Sequence, residues 1–218
     1  MKLISFIGVH HFGGLQDDPA FVSSALTVQD IDRAHRERFG ETFPNGDPVQ
    51  SSLGYHVGYT LIIWPDGTWT QTRKVGEQTA AARGYNFNTI HVALAGNFTA
   101  GIERPTHQQE ATLISLLDAA LTGTYALKQF GLTFENDTSA VIDPTKVLPH
   151  RLFPGSMTQC YGSALDDAWV RSLIIANLKS KISLLQKLVL LYRQAISLMT
   201  TQPQRFAGSQ TYCRAEVG

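Results

Sequence analysis

The sequence contains few cysteines and no long apolar segment. Only Cys160 and Cys213 occur among its 218 residues, which excludes a disulfide framework of the kind that holds small secreted domains together. No apolar run reaches the roughly 20 residues that a transmembrane helix needs. Internal repeats and low-complexity segments are also missing, and the composition is that of an ordinary globular protein. The length suits one domain, or one domain with an appendage.

Acidic residues are almost absent from the C-terminal part of the chain. The formal net charge is zero, but residues 1–167 contain 11 basic and 17 acidic residues, whereas residues 168–218 contain 7 basic residues and 1 acidic residue. An acidic body joined to a basic tail indicates an appended function. We therefore predict a main domain over residues 1–167 and a basic appendage over residues 168–218, in which Cys213 is a loose thiol.

Signal-peptide features are missing from the N-terminus. The apolar run at residues 3–9 is at the short limit for a signal-peptide core, and no A-x-A cleavage site follows it. Its β-branched residues and the glycine turn after it predict a buried strand instead. We expect synthesis in the cytoplasm, so that any action outside the cell requires release or lysis.

Two helices are marked by capping boxes. Thr27 is followed three positions later by Asp30, and Thr106 is followed by Gln109. Each pair can satisfy free N–H groups in a first helical turn. Apolar residues recur at helical spacing after both pairs, and Gly40 predicts the end of the first helix.

Three further strands are indicated by apolar patterns. The turn at residues 65–67 separates a predicted strand over residues 53–64 from a predicted return strand over residues 68–73, which indicates a hairpin. Residues 89–95 form another buried strand, whereas residues 131–149 are irregular. Strands combined with helices in this order predict an α/β fold with a central mixed β-sheet flanked by helices.

One loop carries both a histidine and a cysteine. Residues 150–162 begin with His150, include Cys160 and are interrupted by proline and glycine. A catalytic zinc takes three protein ligands and leaves one position for water, so this loop is one ligand short. His10 and His11, at the end of the first strand, point to opposite sides, and only one can face a given metal. Taken alone, the two histidines are better interpreted as ordinary polar residues.

Taken together, three segments resemble the signature of zinc-dependent N-acetylmuramoyl-L-alanine amidases, the family that includes certain phage lysozymes and the peptidoglycan recognition proteins. These segments are Ile7-Gly8-Val9-His10-His11, Gly54-Tyr55-His56 and His150 to Thr158-Gln159-Cys160. Residues 83–90 and 96–98 also resemble the groove-lining loop and strand of that family. The resemblance covers most of residues 1–170, and it implies the amidase fold for them.

The resemblance implies roles for five residues. It makes His10, His150 and Cys160 the ligands of a zinc ion, and it selects the first of the two adjacent histidines. It makes Tyr55 the catalytic tyrosine and Thr158 a residue that contacts the reacting carbonyl. Both hydroxyls can donate hydrogen bonds to the oxyanion that forms during amide hydrolysis.

Three asparagines are candidate contacts to a substrate in the groove: Asn86, Asn88 and Asn97. An interpretation as turn and strand-end residues is about equally good.

The sequence also departs from the family pattern. Ala81 occupies a position where a histidine is common, and Tyr161 replaces the proline that usually follows the cysteine. Neither Ala93 nor Ala95 supplies the glutamate base of some relatives. These departures leave the ligand set intact but leave the general base open, and a zinc-activated hydroxide assisted by Tyr55 is our first choice.

The resemblance implies a peptidoglycan hydrolase. Zinc polarises a carbonyl and lowers the pKa of its bound water to about 7, and the bond expected to be cut joins N-acetylmuramic acid to L-alanine of the stem peptide. The expected partner is bacterial peptidoglycan, with no nucleic acid, and the expected role is that of a phage-type endolysin or another cell-wall lytic enzyme.

Two other functions stay open. The first is a peptidoglycan-binding module without turnover, although members that only bind have typically lost the cysteine. The second is a Cys–His hydrolase with Cys160 as the nucleophile, which a chelator would not inhibit.

The resemblance does not extend to the C-terminal segment. Apolar residues recur at heptad spacing over residues 173–199. They form two adjacent stripes that together span roughly 200° of a helix, more than an ordinary surface helix buries. Basic residues occupy the other side. This pattern predicts an amphipathic helix that packs on the main domain, associates with a second copy or lies on an anionic membrane. Self-association is our first choice.

Overall fold

The computed structural model describes residues 1–12 and 26–201. Cys213 therefore lies outside the described residues, together with the rest of the tail after residue 201. The chain divides into two compact units, Met1–Ile175 and a second unit that begins at Ala176.

Seven strands and four helices are described. In chain order they are β1 (Lys2–Ile4), β2 (Phe6–Phe12), α1 (Val28–Phe39), β3 (Leu61–Ile63), β4 (Trp69–Gln71), β5 (Thr89–Ala95), α2 (His107–Thr122), α3 (Thr124–Phe130), β6 (Thr138–Ala140), β7 (Val147–Pro149) and α4 (Trp169–Thr201). Short 3-10 turns precede and follow β7, at Pro144–Lys146 and His150–Leu152.

The central sheet has five strands in the order β4-β3-β5-β2-β7. Strand β4 is antiparallel to β3, and the other pairs are parallel. Strands β1 and β6 form a separate parallel pair. The predicted mixed sheet flanked by helices is confirmed. Because β2 and β7 are adjacent and parallel, their carboxyl ends lie at the same edge of the sheet, which brings the end of β2 close to the segment after β7.

Both predicted capping boxes are present. The Thr27 hydroxyl accepts from the Asp30 N–H at 3.3 Å, and the Thr106 hydroxyl accepts from the Gln109 N–H at 3.1 Å. In return, the side-chain oxygens of Asp30 and Gln109 accept from the backbone N–H groups of the two cap residues. Helix α1 ends at Gly40, where φ is 71°. A side chain rarely adopts such a φ, so glycine suits this helix end.

The observed strand is shorter than the one predicted over residues 53–64, because only residues 61–63 pair in the sheet, as β3. The buried guanidinium of Arg73 donates to the carbonyls of Val57 and Val49, both at 2.6 Å, and to that of Gln78 at 3.0 Å. These carbonyls are therefore satisfied by a side chain instead of by a strand partner. The prediction that residues 131–149 are irregular was incomplete, because β6 and β7 are too short to show an alternating pattern.

The first turns of α4 belong to the core of the first unit. Val170 and Ile174 are buried with the sheet residues, and the ring of Trp169 meets that of Tyr161 edge-on at 5.4 Å. The first compact unit therefore extends to Ile175, beyond the predicted boundary.

Farther along α4, the second unit exposes large apolar side chains around the helix. They include Leu178, Ile182, Leu184, Leu185, Leu188, Val189, Leu190, Leu191, Tyr192, Ile196, Leu198 and Met199. Among the described residues, no helix is long and apolar enough to cross a membrane.

Candidate metal centre

His10, His150 and Cys160 form a His-His-Cys cluster at the edge of the sheet. Each residue offers one ligand atom, and the three atoms lie within 4.8 Å of one another. Nδ1 of His10 is 3.8 Å from Sγ of Cys160, and the rings of the two histidines are 4.6 Å apart. His10 is fully buried, whereas His150 and Cys160 are half-buried, so the exposed part of the cluster belongs to the loop after β7.

The parallel pairing of β2 and β7 explains this convergence. Val9 pairs with Pro149, and each is followed by one of the histidines. Cys160 comes from the loop after β7, and its sulfur accepts a hydrogen bond at 3.4 Å from the backbone N–H of His11.

Arg151 joins the two parts of the ligand-bearing loop. Its backbone N–H donates to the Cys160 carbonyl at 3.0 Å. Its guanidinium donates to the carbonyls of Gly162 at 3.0 Å and Leu165 at 2.6 Å, and to the carboxylate of Asp167. Because this arginine directly follows a ligand, it holds both ends of the loop in register.

The donor set fits a catalytic zinc site. Zinc binds histidine nitrogen at about 2.0–2.1 Å and thiolate sulfur at about 2.3 Å, so tetrahedral ligand atoms lie about 3.5 Å apart. The separation of 3.8 Å between Nδ1 of His10 and Sγ of Cys160 is close to that spacing, and no two of the three ligand atoms are more than 4.8 Å apart. Two imidazoles and one thiolate are also ligand types that zinc prefers, and three protein ligands leave the fourth position open.

Burial keeps the metal-free cluster neutral. It lowers the pKa of His10 well below its usual value, and it lowers the pKa of His150 to about 4, with a smaller contribution from Arg38. It raises the pKa of the Cys160 thiol to about 12. The imidazoles therefore present lone pairs at neutral pH, and a bound cation is needed to take the proton from the thiol.

His11 lies outside the cluster, as expected from strand alternation. Its Nδ1 accepts from the Phe98 N–H at 3.1 Å, and the two rings stack with centroids 5.7 Å apart. This histidine holds the loop after β5 against the end of β2.

Tyr59, four positions after Tyr55, is the tyrosine beside the cluster. Its ring centroid is 5.1 Å from that of His10 and 5.1 Å from that of His35. Tyr55 bonds through its backbone to Ser51, and in the described chain no ring contact or hydrogen bond joins it to the cluster. Tyr59 is not among the predicted site residues, although the sequence signal for it is a second Gly-Tyr pair, Gly58-Tyr59, directly before β3.

The position of Thr158 is compatible with an active-site role. Its hydroxyl accepts from the Cys160 N–H at 3.2 Å, and its side chain is half-buried. Because the hydroxyl oxygen accepts in that contact, the hydroxyl can still donate its own proton to another acceptor.

Asn86 organises its own loop. Its side-chain oxygen accepts from the N–H groups of Ala81 and Ala82 at 3.0 and 2.9 Å, and from the Thr79 hydroxyl at 3.2 Å. These contacts favour a turn-forming role over a role in the groove.

The other two asparagines also take part in the framework. The Asn88 carbonyl accepts from the N–H groups of Ser5 and Phe6 at 3.0 and 3.2 Å. Asn97 is 1% exposed, and its side-chain oxygen accepts from Thr99 at 3.2 Å. Asn97 thus has almost no surface for a ligand, whereas the half-buried Asn88 retains some.

A family model for N-acetylmuramoyl-L-alanine amidases matches residues 2–163. The chain belongs to the N-acetylmuramoyl-L-alanine amidase family. The match includes all three residues of the cluster and ends before α4. No curated protein sequence matches the chain.

Several solved structures are similar to this chain. The endolysin of the Thermus scotoductus bacteriophage Ph2119 is 19% identical, with a TM-score of 0.50 over 80% of this chain and 86% of its own. The amidase LysC from Clostridium intestinale is 21% identical (TM-score 0.48; 78% and 83% covered). Drosophila PGRP-LB is 19% identical (TM-score 0.49; 76% and 78% covered). At 19% identity, the similarity to the Ph2119 endolysin is one of fold alone.

Proposed function

We propose that this chain is a zinc-dependent amidase that cuts the bond between N-acetylmuramic acid and L-alanine of the peptidoglycan stem peptide. The observation that carries the proposal is the His-His-Cys cluster, in which three zinc-type ligand atoms lie within 4.8 Å at the edge of the sheet. Membership in the amidase family supports the substrate class.

In this proposal, different residues have different roles in hydrolysis. His10, His150 and Cys160 would hold the zinc ion, which supplies a Lewis acid and an acidified water. Burial, and to a smaller extent the neighbouring Cys160, raises the pKa of Tyr59, so its hydroxyl stays protonated and can donate to the developing oxyanion. Thr158 is the second donor in this proposal.

Digestion of purified peptidoglycan, with mass analysis of the products, tests the reaction. We expect free stem peptides that begin with L-alanine, loss of this release in a chelator and its return with added zinc. Cys160→Ser should abolish release while the domain stays folded. Near wild-type release by that variant would overturn the zinc assignment, and products cut within the glycan or within the peptide would overturn the proposed bond.

Two other functions are weaker. A binding module would retain peptidoglycan without releasing peptide, and the complete ligand set argues against it. A Cys160 nucleophile would be indifferent to a chelator, and burial opposes this function because it raises the pKa of the thiol to about 12, whereas reactive cysteines have lowered pKa values.

The biological role that we propose is lysis of the cell wall after release from the producing cell. It is motivated by family membership and by the endolysin fold neighbour. Purified protein added to permeabilised bacteria should clear the suspension, and a suspension that stays turbid while isolated peptidoglycan is cut would contradict this role.

The second unit has its own proposed partner, a second copy of the chain. The exposed apolar side chains of α4 beyond Ala176 support this choice, because a helix that is apolar around most of its surface requires a partner. Contact with an anionic membrane is the alternative, supported by the basic residues of the same segment.

A further inference from the structure

A third buried histidine touches the cluster without belonging to its ligand set. His91 lies on β5 and is 0% exposed. Its Nδ1 is 2.8 Å from Nε2 of His10, the nitrogen of that ring that faces away from Cys160. The other ring nitrogen, Nε2, lies 3.4 Å from the Tyr85 carbonyl.

The backbone leaves room for this contact at one glycine. Gly8 pairs with His91 across β2 and β5. A Cβ at Gly8 would lie 2.6 Å from Nδ1 of His91 and 3.1 Å from Nε2 of His10. Any larger residue would therefore push against the hydrogen bond between the two rings, and glycine at this position allows the rings to meet.

The two hydrogen bonds of His91 determine which ring nitrogen carries the proton in His10 and in His91 when a metal binds His10. A metal bound at Nδ1 of His10 needs the lone pair there, so the proton of the neutral ring must lie on Nε2. That proton is donated to Nδ1 of His91. The His91 proton then lies on its own Nε2, which faces the Tyr85 carbonyl, an acceptor only. Both rings are thus held in the tautomer that metal binding requires.

We propose that His91 is a positioning residue for the metal centre, acting through His10. It fixes the tautomer and the ring orientation of that ligand before the metal arrives, and the inference rests on the metal site proposed above. Residues that receive the second N–H of a metal-bound histidine typically contribute about 10- to 100-fold to metal affinity. Here the acceptor is a neutral imidazole, so the ligand gains orientation without an added negative charge.

Zinc affinity, measured by competition with a chromophoric chelator, tests the proposal. The variants are His91→Leu, which fills the space without an acceptor, and His91→Asn, whose Oδ1 can replace Nδ1 as an acceptor. His56→Asn is the matched control, because His56 is also buried but pairs with Glu41 outside the cluster. Circular dichroism reports folding, and proton NMR reports the hydrogen-bonded Nε2–H of His10.

We expect His91→Leu to bind zinc about 10- to 100-fold more weakly and to lose the protected ring N–H signal. His91→Asn should recover most of the affinity, and His56→Asn should match the wild type. Gly8→Ala gives a second route, because its methyl group intrudes on the same hydrogen bond and should weaken zinc binding while leaving His91 in place.

Wild-type zinc affinity in a folded His91→Leu variant would overturn the inference. If His91→Leu does not fold, unchanged affinity in Gly8→Ala would overturn it instead. A wild-type chain that takes up no zinc would overturn the metal-site proposal itself and this inference with it. Failure of the metal-site proposal is distinguishable from failure of the His91 inference alone, because only the former leaves the unmodified protein without zinc binding.

Discussion

At the scale of single residues, the tyrosine beside the metal centre is the point at which sequence and structure differ. The family resemblance selected Tyr55, which is followed by histidine in the motif. The ring that lies 5.1 Å from His10 is that of Tyr59. A motif match indicates a residue type. Tyr55 and Tyr59 are four positions apart in an irregular segment, and the motif alone does not determine which of the two lies beside His10.

The matched pair Tyr59→Phe and Tyr55→Phe tests this assignment. We expect Tyr59→Phe to lower kcat by about 10²- to 10³-fold, the typical cost of losing one oxyanion donor. KM should change little, because the hydroxyl acts on the transition state. Tyr55→Phe should leave kcat near the wild-type value. Steady-state kinetics on a soluble muropeptide measures both, and the reverse result would restore Tyr55 as the catalytic tyrosine.

At the scale of elements, the side chain of Arg151 links the two ends of the loop after β7. Arg151 follows the proposed ligand His150, and its guanidinium reaches the chain beyond the proposed ligand Cys160. The metal centre therefore depends on a contact inside the loop as well as on the sheet edge.

Arg151→Lys should destabilise this loop, because an ammonium group cannot reproduce the planar fork of donors. We expect a loss of about 1–3 kcal/mol in the free energy of unfolding, measured by urea titration, and weaker zinc binding. Arg33→Lys is the control, because Arg33 forms an exposed ion pair with Asp30 on α1, a type worth about 0–1 kcal/mol. Equal losses in the two variants would show that the loop contacts contribute little.

At the scale of the whole molecule, the two compact units should be separable. A cut after Ile175 retains Val170 and Ile174 in the core, whereas a cut at residue 173 would remove Ile174. We expect the shorter chain, residues 1–175, to fold and to hydrolyse soluble fragments like the full chain. Light scattering should show an oligomer for the full chain and a monomer for the shorter one.

A vesicle-binding assay tests the alternative proposal, that the second unit contacts an anionic membrane. A full-length monomer that binds anionic vesicles would replace self-association with membrane contact. A full-length monomer that ignores such vesicles would contradict both proposals and leave α4 as a structural helix.

The buried histidines predict that the metal-free protein loses stability as the pH falls. Burial lowers the pKa of His35 and His91 to about 3 and that of His150 to about 4, from 6.5. Between about pH 6.5 and the folded values the unfolded chain binds more protons, so stability is present above about pH 6.5 and is lost as the pH falls through this window.

Urea midpoints in a chelator, measured between about pH 7.5 and pH 5, should therefore stay nearly constant down to about pH 6.5 and fall below it. His107→Gln should show the same pH dependence, because that ring is fully exposed. A constant midpoint across the range would contradict the prediction.

Local patterns in the sequence determined several elements. The capping boxes at Thr27 and Thr106 fixed the starts of α1 and α2, because their bonds span only three residues. Residues 89–95 were predicted as a strand with the observed bounds, because a buried strand is a continuous apolar run. The heptad spacing after residue 173 likewise predicted α4, and the family resemblance supplied the ligand types.

Only the tertiary structure decided which side chains meet. The Arg73 guanidinium binds the Val57 carbonyl, which lies in the part of the predicted strand that does not pair in the sheet. No local pattern shows that a guanidinium 16 residues away will bind this carbonyl. The parallel register of β2 and β5 placed His91 against His10, although 81 residues separate them. Propensity and capping act over a few residues and can be read from the sequence, whereas strand register and buried hydrogen bonds join distant segments and exist only once the chain has folded.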